Sequence, residues 1–394
     1  MAEEKMRQPD AASSSASSSP PPTIRVLDTA LVHPSSSPEE ETSLPLTFLD
    51  VLWLHAPPVQ RVLFYRLAPD ADTDAVLANL RRAVRAFFPL AGRLRLAPGT
   101  EDDRYELHYR PGDAVAFTVA EYVDGDHELD SLAADEPREA TLLSGRRGLA
   151  LGVTVHHAAC DGAASTHFLH TWAAAACSSG SARPPPPVID RTLVSDPKGR
   201  LYDVFCPPPA SSTTEDMGFV NRMPDDHQCL ATFTLSRAHL QRVKDVVVAV
   251  TPPRRCTSLV AALGFVWSCY QRAKPRDGAR TCSSLLSVDR RSRMKPPLPD
   301  RYFGNCVGPA LAVASRSELA AGAAREPSKE RIVEAASMGT MLTVAGSPRF
   351  RVYDLDTGFG RPVKAARVLL LLLGATTDVA ILSSAFSSTG CSRR

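Results

Sequence analysis

The sequence lacks several features that would settle its class early. Charge of one sign is missing: 45 Lys and Arg stand against 43 Asp and Glu, a formal net charge of +2, with no block of like charges. That balance excludes a nucleic-acid-binding stripe and an acidic solvating tail. Long apolar runs are missing too. VLLLLLGA, Val368–Ala375, falls far short of the roughly 20 residues that span a bilayer, so no membrane anchor is expected. The opening MAEEKMRQPDAASSSASSSPPP holds no apolar stretch of the kind a secretory signal needs. Nine cysteines lie scattered from Cys160 to Cys391, with no C-x-x-C pair and no His/Cys metal spacing. An odd, scattered set fits reduced thiols and argues against both a disulfide framework and a metal centre. Together these absences point to a soluble, cytoplasmic protein.

Proline is abundant instead, at 33 residues, and its clusters mark boundaries. With 44% hydrophobic and 22% charged residues, the 394-residue chain can form two sizeable cores. Residues 1–23, rich in Ser, Ala and Pro, are expected to be a disordered tail. Alternation predicts a strand over Val59–Leu67. Val76, Leu77, Leu80, Val84 and Phe87 predict a helix over 73–88, stopped by Pro89. Further strands are expected over Tyr105–Tyr109 and Val115–Tyr122. Residues 181–215 read as a Pro-rich crossover linker, because consecutive prolines exclude helix and central strand. Beyond it come a strand near Leu230–Leu235, a helix after Ser236, a helix over Ser258–Lys274 and a strand over Ser283–Val288. The pattern is α/β (α+β): mixed sheets flanked by helices, in domains spanning 24–180 and 216–394.

The stretch VTVHHAACDGAASTHFLHTW, residues 153–172, concentrates the chemistry. Leu149, Leu151, Val153 and Val155 alternate onto one strand face, and His157 shares their parity whereas His156 does not. Asp161 and Gly162 then open a helix with a packing stripe of Phe168, Leu169, Trp172 and Ala176, for which Asp161 is a natural N-cap. About one H-x-x-x-D arises by chance in a chain of this composition. On the residues alone, a hydrogen-bonded core histidine and a general base are equally good accounts of His157. An imidazole titrating near ~6.5 can take a proton from a hydroxyl at neutral pH. No Ser or Cys sits in a nucleophile elbow, which favours direct transfer over a covalent acyl-enzyme.

The run HHAACDG resembles the H-x-x-x-D-G signature of the plant acyl-CoA-dependent acyltransferases of the BAHD family. Other segments resemble that family in the same order: LPLTFLDVLWL with PVQRVLFYRL, FFPLAGRL, VIDRTLVSDPKG, VDRRSRMKPPLPDRYFGNC and YDLDTGFGRP. YFGNC resembles the clade that malonylates anthocyanins and other phenolic glucosides. The resemblance implies a two-domain architecture like that of chloramphenicol acetyltransferase and acyl-CoA, malonyl-CoA in this clade, as co-substrate. It implies no permanently bound cofactor, a phenolic glucoside acceptor and a monomeric state. His157 matches the family's catalytic base. Asp161 with Gly162 matches the structural aspartate and its glycine, with Arg291 as ion-pair partner. Asp356, Gly358 and Gly360 match a structural D-x-G-x-G loop. Ser258, Arg293 and Asn305 would line the cofactor side.

The chain also departs from the family pattern. Thr357 and Phe359 stand where the loop's two aromatics are expected, which should loosen its packing. Residues 317–345 are shorter and more polar than the family's helical region. After Arg367 the chain no longer follows the family, so a truncated second domain with an exposed sheet edge is expected. These departures set a second expectation beside the first: a non-catalytic relative that binds CoA or a partner.

Overall fold

The computed structural model describes residues 24–35, 40–56, 58–66, 73–99, 104–122, 138–139, 148–176, 183–196, 198–206, 229–230, 235–250, 256–273, 281–315, 341–346, 348–369 and 378–381. The expected tail over 1–23, residues 231–234 of the strand near 230 and the polar stretch 316–340 lie outside them.

The first half contains β1 (Ile24–Val32), β2 (Thr42–Pro45), α1 (Phe48–Val51), β3 (Val59–Arg66), α2 (Thr73–Ala86), β4 (Arg93–Leu96), β5 (Tyr105–Tyr109), β6 (Val115–Tyr122), β7 (Arg138–Glu139), β8 (Gly148–Val155) and α3 (Gly162–Ala176). The segment 183–206 carries a short helix α4 (Arg200–Phe205). The second half contains β9 (Cys229–Leu230), α5 (Arg237–Val250), α6 (Ser258–Ala273), β10 (Thr281–Asp289), β11 (Val307–Ser315), β12 (Met341–Ala345), β13 (Lys364–Leu369) and β14 (Asp378–Ile381).

The helices form where apolar spacing and caps coincide. Along α2, Val76, Leu80 and Val84 form a buried stripe that meets Phe168, Leu169 and Trp172 of α3 and Leu63, Tyr65 and Leu151 of the sheet in one core. The Trp172 indole N–H donates to the Val76 carbonyl at 3.4 Å, tying the two helices together. Edge-on contacts join Phe87 to Phe168 at 5.5 Å and to Phe303 at 5.9 Å. The strand parity of β8 holds: Ala150, Gly152 and Thr154 are exposed while Leu149, Leu151, Val153 and Val155 turn to the core side. Ser236 caps α5, accepting from the His239 N–H at 3.1 Å.

The sheets connect the two halves. β3 pairs antiparallel with β8 on one side and with β13 on the other, giving the order β13-β3-β8. Lys364–Leu369, placed by sequence in the second domain, thus closes an edge of the first half's sheet. A second sheet, β11-β10-β12-β14, packs Trp267 of α6 against Ala314, Leu342 and Val344. Its edge strand β14, from the stretch after Arg367, runs parallel to β12.

Leu169, 1% exposed at the α2–α3 contact, tests this core. Leu169→Ala should lower the unfolding free energy by roughly 2–5 kcal/mol, read from the denaturant midpoint.

Candidate active site

β8 ends at Val155, and the chain turns so that His157 lies 6% exposed between the two halves of the molecule. Its ring stacks on the indole of Trp53 at 3.9 Å between centroids and 10° between planes. Its Nδ1 lies 3.2 Å from Oδ1 of Asn305, which comes from the turn between β10 and β11. His156 points elsewhere, as its opposite parity requires. Its Nδ1 accepts the Ala158 N–H at 3.2 Å, and burial together with the nearby His55 lowers its pKa.

Asp161 carries both roles open to it in the sequence. One oxygen caps α3, accepting the N–H groups of Ala163 and Ala164 at 3.0 Å each. Arg291 grips the same carboxylate with both terminal nitrogens, at 2.8 and 3.0 Å, and the Cys306 N–H adds a bond of 2.9 Å. Arg291 itself is 2% exposed and also donates to the carbonyls of Tyr302 and Gly304 at 3.1 and 3.2 Å. Burial alone would lower the pKa of this guanidinium. The Asp161 carboxylate more than offsets that, and the net direction is up. Gly162 lets α3 begin close to Phe350, whose ring carbons a Cβ there would meet at 3.0 Å. Beside it Arg61 braces the first turn, donating to Thr166 at 2.8 Å and Ser165 at 2.9 Å.

The D-x-G-x-G loop forms a tight turn on the first half. Asp356 Oδ1 accepts the Gly358 and Gly360 N–H groups at 3.0 Å each, and these glycines take φ of 109° and 83°. Thr357 and Phe359, where looser packing is expected, both lie buried under the loop. Thr357 is 0% exposed, and Phe359 is buried against Tyr65 of β3 with ring centroids 5.9 Å apart.

Three expected cofactor-lining residues go to different places. Asn305 is 0% exposed, and its side-chain amide meets the ring and the backbone carbonyl of His157. Ser258 opens α6 and accepts from the Lys244 ammonium at 2.8 Å. Arg293 lies exposed on a short helical turn. Trp53, Asp50 and Arg191 complete the cluster and carried no signal of their own. Trp53 and Asp50 stood inside LPLTFLDVLWL and Arg191 inside VIDRTLVSDPKG, with nothing to show that these segments meet. Among the described residues no group of His, Cys, Asp and Glu is arranged to hold a metal ion. No helix among them is long and apolar enough to cross a membrane.

A family model described as the Transferase family matches residues 23–322, with the His157 stretch and the YFGNC turn inside the match. The chain belongs to the BAHD acyltransferase family. Phenolic glucoside malonyltransferase 1 of Arabidopsis thaliana is similar at 30% identity, the match covering 88% of this chain and 89% of that protein. A malonyl-coenzyme A:anthocyanin 3-O-glucoside-6''-O-malonyltransferase of Dahlia pinnata is 26% identical, with 86% and 87% covered. The crystal structure of vinorine synthase shares the fold with a TM-score of 0.60 at 18% identity, over 92% of each chain. BAHD proteins are acyl-CoA-dependent acyltransferases with the two-domain fold of chloramphenicol acetyltransferase.

Two cysteines flank this BAHD site. Burial, reinforced by Asp161, pushes the Cys160 thiol up to about 12, and burial raises Cys306 to about 11. Both thiols are therefore protonated until the pH approaches those values, and neither offers a thiolate nucleophile at neutral pH. Iodoacetamide at pH 7.5 should label the partly exposed Cys256 well before Cys160 or Cys306, as mass spectrometry of timed digests would show. Arg291→Ala strands a buried carboxylate and should cost about 3–5 kcal/mol, measured by denaturant unfolding.

Proposed function

We propose that this BAHD enzyme transfers a malonyl group from malonyl-CoA to a sugar hydroxyl of a phenolic or flavonoid glucoside, with His157 as general base. The observation that carries the reading is the buried imidazole with Nδ1 held against Asn305 Oδ1 and its face against Trp53. With the proton on Nδ1, the lone pair is on Nε2, where an acceptor hydroxyl can be deprotonated.

The hydroxyl oxygen attacks the thioester carbonyl as its proton passes to Nε2. The tetrahedral intermediate collapses with cleavage of the C–S bond, and the imidazolium returns the proton to the departing CoA sulfur. No acyl-enzyme is required, in keeping with the two protonated thiols beside the site. The malonyl donor and glucoside acceptor follow the names of the similar Arabidopsis and Dahlia proteins. Ser258 with Lys244, and Arg293, are assigned to the CoA side, where cations meet phosphate. Asp161, Gly162, Arg291 and the Asp356 loop hold the site without entering the chemistry. The enzyme acts as a monomer in the cytoplasm, where thiols stay reduced.

The test is CoA release by purified protein given malonyl-CoA and a panel of phenolic glucosides. Malonylated product is expected, with a loss of about 10²–10⁴-fold in His157→Ala. Full activity in that variant would remove His157 from the chemistry. CoA binding with no turnover on a broad panel would make the chain the non-catalytic binder instead.

A further inference from the structure

We propose that Asp50 is a positioning residue for acyl transfer: acting through Asn305, it selects the His157 tautomer that leaves Nε2 basic. Asp50 is the third residue of α1 and is 0% exposed. Five donors converge on its carboxylate. Oδ2 accepts the Thr47 N–H at 2.9 Å, the Thr47 hydroxyl at 2.6 Å and an Arg191 N–H at 2.9 Å. Oδ1 accepts the backbone N–H and the side-chain Nδ2 of Asn305, at 2.9 and 3.0 Å. With donors on every side, Asp50 acts purely as an acceptor.

That pattern decides which way the Asn305 amide faces. Its Nδ2 looks at the Asp50 carboxylate and at the His157 carbonyl, 2.9 Å away. Turning the amide over would bring Oδ1 against a carboxylate and a carbonyl with no proton between them. The arrangement therefore points Oδ1 at His157, and an oxygen facing Nδ1 at 3.2 Å requires the ring proton to be on Nδ1. The chain of dependence runs from the Asp50 charge to the Asn305 amide to the imidazole.

Arg191 makes the buried charge tolerable. Burial alone would lower its pKa, Asp50 raises it, and the net direction is up. It also donates to the Ala159 carbonyl at 3.2 Å, two residues past His157. Its approach requires glycine at 304, because a Cβ there would strike the Arg191 Nη1 atom. Segments 47–50, 157–159, 191 and 302–305 thus share one network, which fixes a proton position as well as a shape.

The inference rests on His157 being the base, but its main readout does not depend on turnover. Long-range 1H–15N correlation spectra of protein labelled with 15N-histidine, assigned by the signals missing in His157→Ala, report which ring nitrogen carries the proton. The wild type should show Nδ1–H with a bare Nε2, and Asp50→Asn should move the population toward Nε2–H. In that variant kcat should fall by about 10²-fold while KM for the acyl-CoA changes less than about threefold. D50N combined with Asn305→Ala should be no slower than Asn305→Ala alone. A wild-type ring protonated on Nε2 would overturn the proposal, and so would D50N and N305A effects that multiply. Should D50N not fold, Asp50→Glu keeps the charge and shifts the oxygens away from Asn305. A lowered kcat there with an unchanged tautomer would also refute it. If His157→Ala stays active, the base assignment fails while the ring measurement still tests the relay.

Discussion

The ion pair between Asp161 and Arg291 joins residues 130 positions apart, and both side chains are almost wholly buried. Moving such charges out of water costs several kcal/mol per ion, which a single contact does not recover. The molecule offsets part of this by gathering further hydrogen bonds around each charge, although the Arg291 Nε finds no partner among the described residues. Asp161 takes helix N–H groups from its own element and the Cys306 N–H from across the cleft. Arg291 adds the carbonyls of the 302–304 turn. Because these partners belong to α3 and to the β10–β11 turn, satisfying the pair locks those two pieces together. Asn305 lies on the locked turn and His157 lies just before α3, so the distance between them depends on the same lock.

The Asp50–Arg191 pair repeats the device one layer away, with a different consequence. It joins α1 to the segment 183–206 and to the same turn. The first pair joins α3 to the β10–β11 turn, whereas the second contacts the Asn305 amide that faces His157. Trp53, on the same segment as Asp50, covers the face of His157 and leaves the imidazole few orientations. Support of this kind is what a general base requires, since both its geometry and its proton inventory must be set before substrate arrives. The D-x-G-x-G loop packs on β3 through Phe359.

Much of the local structure was legible because it depends on periodicity. The stripe Val76, Leu80, Val84 and the alternation Leu149 to Val155 identified α2 and β8 close to their true limits. Parity alone separated His157 from His156. The N-cap at Asp161 was legible for the same reason, since a cap and its helix are neighbours in sequence. The contacts of Asn305 were not legible, because a polar residue in a turn gives no sign of what it will face. The β13–β3 pairing was missed for a related reason. Strand partners are chosen by which edge lies open in the folded molecule, and Lys364–Leu369 carries no mark of that edge.

What the sequence determined by itself is therefore local: helices and strands, the inward face of His157, the cap at Asp161 and, through ordered segments, the family. Apart from the family, those properties follow from residues within a turn or two of each other. The resemblance implied Arg291 as the partner of Asp161, and tertiary structure decided which other distant groups meet, bringing Arg191 to Asp50 and Asn305 to both Asp50 and His157. Buried charge is the reason. A carboxylate in the core must find donors wherever the chain brings them, and only the completed fold specifies which donors those are.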